Sequence, residues 1–70
     1  MFQVSQNGAR IGYAGSIEGA REIVRCESLG RYDVDEISAE PFASGLRSRR
    51  WGHLIRHPDG RVEDEPWPWD

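Results

Sequence analysis

Two histidines, one cysteine and nine arginines are the residues of this chain with chemistry to offer. His53 and His57 are four residues apart, a spacing that suits a metal ion on a helix. The run from Arg50 to His57 reads as a strand instead, where residues i and i+4 lie roughly 13 Å apart, too far to share one ion. No metal site is expected. Cys26 falls near the end of a helical segment, where the dipole does not favour the thiolate that a nucleophile needs, so it reads as a small packing residue. Ser44-Gly45 lacks the flanking glycine pattern of a nucleophile elbow. Gly8, Gly12, Gly15 and Gly19 are spaced as turn and helix residues, not as a phosphate cradle. Seventy residues also leave little volume for an enclosed pocket. The expectation is a non-enzymatic protein with no catalytic residues and no cofactor.

The arginines are more informative. All nine basic residues are arginine, and the formal net charge is −3, which argues against a general nucleic-acid coat. Arg47, Arg49 and Arg50 crowd beside Trp51 at the end of a segment that begins at Pro41, with Phe42 and Leu46 as apolar anchors. Guanidinium groups among aromatic rings suit an acidic protein surface or single-stranded nucleic acid. The competing reading is self-neutralisation, in which Asp33, Asp35, Glu36, Glu40 and the terminal carboxylates pair with these arginines and pin the segment. A second candidate surface is the terminus, Glu63 to Asp70, with four acids, Pro66, Pro68, Trp67 and Trp69. Proline excludes a helix there and leaves an edge strand or an extended run. Its tryptophans either fold across the sheet and complete the core or wait for a partner. The predicted partner-binding set is therefore Phe42, Leu46, Arg47, Arg49, Arg50, Trp51, Trp67 and Trp69.

These residues need a scaffold, and the pattern predicts one. Asn7-Gly8 between two alternating runs is a strong hairpin signal, because both turn residues take positive φ. A two-residue loop pairs Gln6 with Ala9, Val4 with Ile11 and Phe2 with Tyr13, placing four apolar side chains on one face. Ser16 is a good N-cap for a helix from Ile17 to about Ser28. Glu18 sits in its first turn, and Ile17, Ala20, Ile23 and Val24 form one apolar stripe to lie across the hairpin. Gly30 marks its stop.

Arg31 to Ile37 reads as a third strand with Tyr32 and Val34 on one face and a bulge or strand end near Asp35-Glu36. Ser38 to Ser48 follows as a long connection, a kind of segment that often carries function. Arg50–His57 and Arg61–Glu65 form a last hairpin around His57-Pro58-Asp59-Gly60-Arg61, a type I turn with glycine in the bulge position. Leu54 with Val62 makes one apolar set in it and Trp51 with Ile55 the other, and the sequence does not choose between them.

The expected fold is a single small α+β domain in the order β-β-α-β-β-β, one helix packed across a curved antiparallel sheet. Residues 1–65 form the domain and 66–70 an extended C-terminal tail. With 37% hydrophobic residues, burial and conformational entropy nearly cancel in so small a scaffold. Docking of a terminal tryptophan, or a homodimer, would bury more. One cysteine permits no internal disulfide, the start at Met1-Phe2-Gln3 has no signal-peptide pattern, and no apolar run is long enough to span a membrane; a cytoplasmic location fits.

The hairpin–helix–strands order at this size resembles small phage-encoded inhibitors, some anti-CRISPR proteins among them, a likeness of size and element order without a shared motif. It implies action by protein binding in a bacterial or phage setting. The leading expectation is a protein-interaction module, with nucleic-acid binding through Arg47, Arg49 and Arg50 as the alternative.

Overall fold

Local signals build the first hairpin. Asn7 and Gly8 adopt φ of 52° and 80°, the left-handed pair that a tight two-residue turn requires. They join β1 (Phe2–Gln6) to β2 (Ala9–Ala14). The computed structural model that shows this describes residues 1–39 and 46–68, with the side chains of 39, 46 and 47 outside the description. Gln6 pairs with Ala9 as expected, but the register shifts at Val4, which lies opposite Gly12, and Phe2 lies opposite Ala14. Ile11 is thus an extra residue, and the expected pairs Val4–Ile11 and Phe2–Tyr13 do not form. Gly12 lies beneath Ile23 of the helix above, where a Cβ would be in ordinary van der Waals contact with Ile23 Cδ1 at 3.5 Å, and the extra residue, Ile11, packs against the core. Tyr13 consequently turns outward and is 46% exposed. Arg10 covers it, donating from Nη1 to the Tyr13 hydroxyl at 2.9 Å.

The helix, α1 (Ile17–Arg25), starts as predicted: the Ser16 hydroxyl accepts the Gly19 N–H at 3.1 Å. It ends at Cys26 rather than near Ser28, the Cys26 N–H reaching the Glu22 and Ile23 carbonyls. Beyond the cap, the Tyr32 hydroxyl donates to the Ser28 carbonyl at 2.6 Å, so that carbonyl finds its partner outside the helix. Gly30, expected to end the helix, opens the next strand at φ 149°. Cys26 is exposed, so it is a C-cap and not a core filler.

Three further strands complete the sheet: β3 (Gly30–Ala39), β4 (Leu46–Arg56) and β5 (Val62–Pro66). All neighbours are antiparallel, in the order β2-β1-β3-β4-β5. The last turn forms as read: Gly60 takes φ 93°, its N–H reaches the His57 carbonyl at 3.0 Å, and Asp59 Oδ1 accepts the Arg61 N–H at 3.0 Å. The expected long connection from Ser38 to Ser48 is largely strand. Ser38 pairs with Arg47 and Ala39 with Leu46, leaving 40–45 between the strands.

One face of the sheet carries the helix. Val4, Tyr32, Val34 and Leu54 from the strands and Ala20 and Val24 from α1 are fully buried, with Phe2, Ile11, Ile17, Ile23, Trp51 and Val62 packed around them. The undecided face of the last hairpin is settled by Leu54 and Val62 lying beneath the helix. The fold class is α+β, and no helix among the described residues is long and apolar enough to cross a membrane.

A two-point ion pair ties α1 to the edge strand. Arg21 Nε and Nη2 donate to the two carboxylate oxygens of Asp64 at 2.9 and 2.5 Å. The Arg21 hydrogen bond holds the Asp64 carboxyl below its ordinary value, and burial opposes this only in part. A carboxylate depressed in the folded state stabilises above its unfolded pKa of about 3.9, and that contribution is lost as pH falls through the lower native value. Asp64→Asn should therefore lower the urea midpoint at pH 6, with the gap from wild type closing as pH falls below about 4. A gap independent of pH would show that the pair contributes nothing through ionisation.

Candidate interaction site

The site is built around a bulge. β3 and β4 stay in register from Gly30↔Arg56 to Val34↔Gly52, then resume at Asp35↔Arg50, so Trp51 is an extra residue on β4. The irregularity expected near Asp35-Glu36 thus exists, but the added residue is in the partner strand. Because side chains alternate, the bulge reverses which face the following residues occupy. Arg50 joins Asp33, Asp35 and His53 on the face away from the helix. Arg49 falls opposite Glu36, while Trp51 packs partly into the core.

Gly52 lets the edge strand close over this point. At φ 148° it takes a conformation that side chains rarely adopt, and a Cβ there would stand 2.3 Å from the Glu65 carbonyl oxygen and 2.7 Å from the Trp67 nitrogen. The ladder continues one step beyond β5, the Trp67 N–H donating to the Trp51 carbonyl at 2.8 Å. Trp67 is then carried onto the helix-free face. Its ring lies 5.8 Å from the Arg50 guanidinium carbon and 6.1 Å from the His53 ring centre. The expectation that a terminal tryptophan completes the core is corrected for Trp67: it docks on the opposite face, over charged groups, and stays 42% exposed.

Beneath Trp67 lies an alternating network of charge. Arg50 Nε donates to Asp35 Oδ1 at 2.6 Å, and its Nη1 stands 3.7 Å from Asp33 Oδ1. The Asp35 hydrogen bond raises the Arg50 pKa against the opposing effect of burial. His53, with 12% of its side chain exposed, lies 3.0 Å from Asp33 Oδ1 and 3.4 Å from Glu65 Oε1. Arg31 closes the network by pairing with Glu65. For Arg50, then, the self-neutralisation reading holds: Asp35 and Asp33 pin it to the sheet.

A cleft of about 240 Å³ opens beside the bulge, lined by Glu36, Arg49, Arg50, Trp51, Pro66 and Trp67. Four of the predicted partner-binding residues, Arg49, Arg50, Trp51 and Trp67, meet here, although the sequence read them as two separate surfaces. The arginines are on strand β4 and not in a loop. Leu46 and Arg47 lie on the same strand by their backbone, opposite Ala39 and Ser38. Phe42 and Trp69 lie outside the described residues. Glu36, Pro66 and the supporting His53 and Glu65 were missed. Gly52 in mid-strand was the available signal, since such a glycine marks a close backbone approach.

Among the described residues no group of three or more His, Cys, Asp or Glu side chains is placed to hold a metal ion. The cleft instead offers two aromatic surfaces, two guanidinium groups and one carboxylate. No protein-family model, curated protein or solved structure matches this chain.

Proposed function

We propose that this protein is a non-enzymatic protein-interaction module whose contact surface is the cleft between Trp51 and Trp67. The observation that carries this reading is the convergence of Arg49, Arg50, Trp51 and Trp67 around one cleft. Tryptophan and arginine are the residue types most enriched among those that dominate binding energy. Pre-ordering supports it as well. Arg50 is held by Asp35, and Trp67 is fastened by its own N–H to Trp51, so little side-chain freedom remains to be lost on binding. The same pairing weighs against nucleic acid, because carboxylates already occupy the Arg50 guanidinium that a phosphate would need. A free Cys26 thiol fits a reducing compartment such as the cytoplasm.

The test is capture from native lysate followed by crosslinking and mass spectrometry. Crosslinks should concentrate on segments flanking the cleft. An Arg49→Glu/Trp67→Ala variant should lose the captured protein by about tenfold or more while its melting temperature stays within a few degrees of wild type. Undiminished capture by that folded variant would move the interface elsewhere. Salt-sensitive retention of single-stranded or duplex probes by the wild type, abolished in the variant, would favour the nucleic-acid alternative.

A further inference from the structure

We infer that His53 is a proton-operated latch that fastens the Trp67 wall of the cleft to the sheet. Its use in regulating binding rests on the cleft being the contact surface, whereas the latch itself is a property of this chain alone. His53 joins three strands. Its Nε2 lies 3.0 Å from Asp33 Oδ1 on β3, and its Nδ1 lies 3.4 Å from Glu65 Oε1 on β5. Two cations face the same nitrogens: Arg31 Nη2 stands 3.2 Å from Nδ1, and Arg50 Nη1 stands 3.5 Å from Nε2. With most of the ring covered, these groups rather than bulk water decide its hydrogen bonds.

A neutral imidazole has one donor and one acceptor. A carboxylate can only accept, so the Asp33 contact places the proton on Nε2, and Nδ1 then accepts from Arg31. These are the two shorter contacts of the four. In this state Glu65 is held by Arg31 and not by His53. A proton taken from solvent onto Nδ1 turns that atom into a donor toward Glu65, while Arg31 keeps its own pairing with the same carboxylate. His53 then bridges β3 to β5. Charge favours the step: among the described groups of this network, Asp33, Asp35 and Glu65 face Arg31 and Arg50, and the imidazolium supplies the missing third cation.

Glu65 carries the effect to the cleft. Trp67 follows it by two residues on the same face, its ring centre 6.1 Å from that of His53, and its N–H closes the ladder on the Trp51 carbonyl. Histidine changes charge between about pH 5 and pH 8, so Trp67 docks more tightly as pH falls through that range. The gain is lost again as the carboxylates protonate near about pH 4.

The test is hydrogen exchange of the Trp67 amide, corrected for intrinsic rate and normalised to the Leu54 amide, at about pH 7.5 and 5.5. The normalised protection should rise about threefold or more at the lower pH. Imidazole nitrogen shifts should show the Nε2–H form of His53 at the higher pH. His53→Gln should abolish the rise. Glu65→Gln should abolish it too and serves if the first variant folds poorly. His57→Gln, which removes the other titrating ring and its contact with Glu63, should retain it. An equal rise in His53→Gln, no rise in the wild type, or an Nδ1–H form at the higher pH would overturn the latch. None of these measurements involves a partner, so lysate capture that depends on Arg49 and Trp67 would leave the cleft standing in each of those cases.

Discussion

Gly52→Ala is expected to destabilise the protein by about 2–5 kcal/mol and to release β5 from the sheet. Two effects add. The methyl group would stand 2.3 Å from the Glu65 carbonyl oxygen and 2.8 Å from Pro66 Cα, and backbone rather than a flexible side chain would have to move. A φ of 148° also costs any L-residue strain that glycine does not incur. A domain of this size has about 4–10 kcal/mol of total stability, so the variant should be largely unfolded or lack its edge strand. Urea denaturation followed by circular dichroism measures the first outcome. Loss of amide protection confined to Val62–Trp67 identifies the second. A midpoint equal to that of wild type, with β5 protected, would mean that Gly52 does not lie under Pro66.

Leu54→Ala is the second large effect, at about 2–5 kcal/mol. Leu54 is fully buried in the core with Val24, Tyr32 and Val34, and pairs with Tyr32 on one side and Asp64 on the other. The informative control is its neighbour. Ile55 faces away from the helix between Arg31 and Glu63 and is only half-buried, so Ile55→Ala should cost about 1 kcal/mol or less. The two variants compared by urea midpoint test directly which face of the last hairpin is core. Equal losses would contradict the placement of Leu54 beneath α1.

The legible parts of the fold were those decided within a few residues. Asn7-Gly8 demanded a tight turn, Ser16 an N-cap, and Pro58-Asp59-Gly60 a type I turn with a glycine bulge, and each formed. The expectations that failed involved pairing across distance. Matching Val4 with Ile11 and Phe2 with Tyr13 satisfied every rule that β1 and β2 could state between themselves. The pairing that forms instead sets Val4 opposite Gly12 and Phe2 opposite Ala14, with Ile11 as an extra residue packed against the core that the helix completes. Similarly, the segment from Ser38 to Ser48, which carries Arg47, read as a connection and not as strand because it contains Pro41 and Gly45. Pairing of Ser38 with Arg47 and of Ala39 with Leu46 across the ladder makes its two ends strand.

By itself, then, the sequence determined the element order, the turns, the helix start and the residue types available for binding, because these depend on local backbone preference and short-range hydrogen bonds. Only the tertiary structure decided that Arg49, Arg50 and Trp51 line one cleft with Trp67. Two non-local facts produce that union: an extra residue at Trp51, which turns Arg50 toward Asp35, and the absence of a side chain at Gly52, which lets the Glu65–Trp67 backbone approach. Neither is encoded in a pattern along one strand. Both follow from how closely β5 must lie against β4 for Trp67 to reach the face that Arg50 shares.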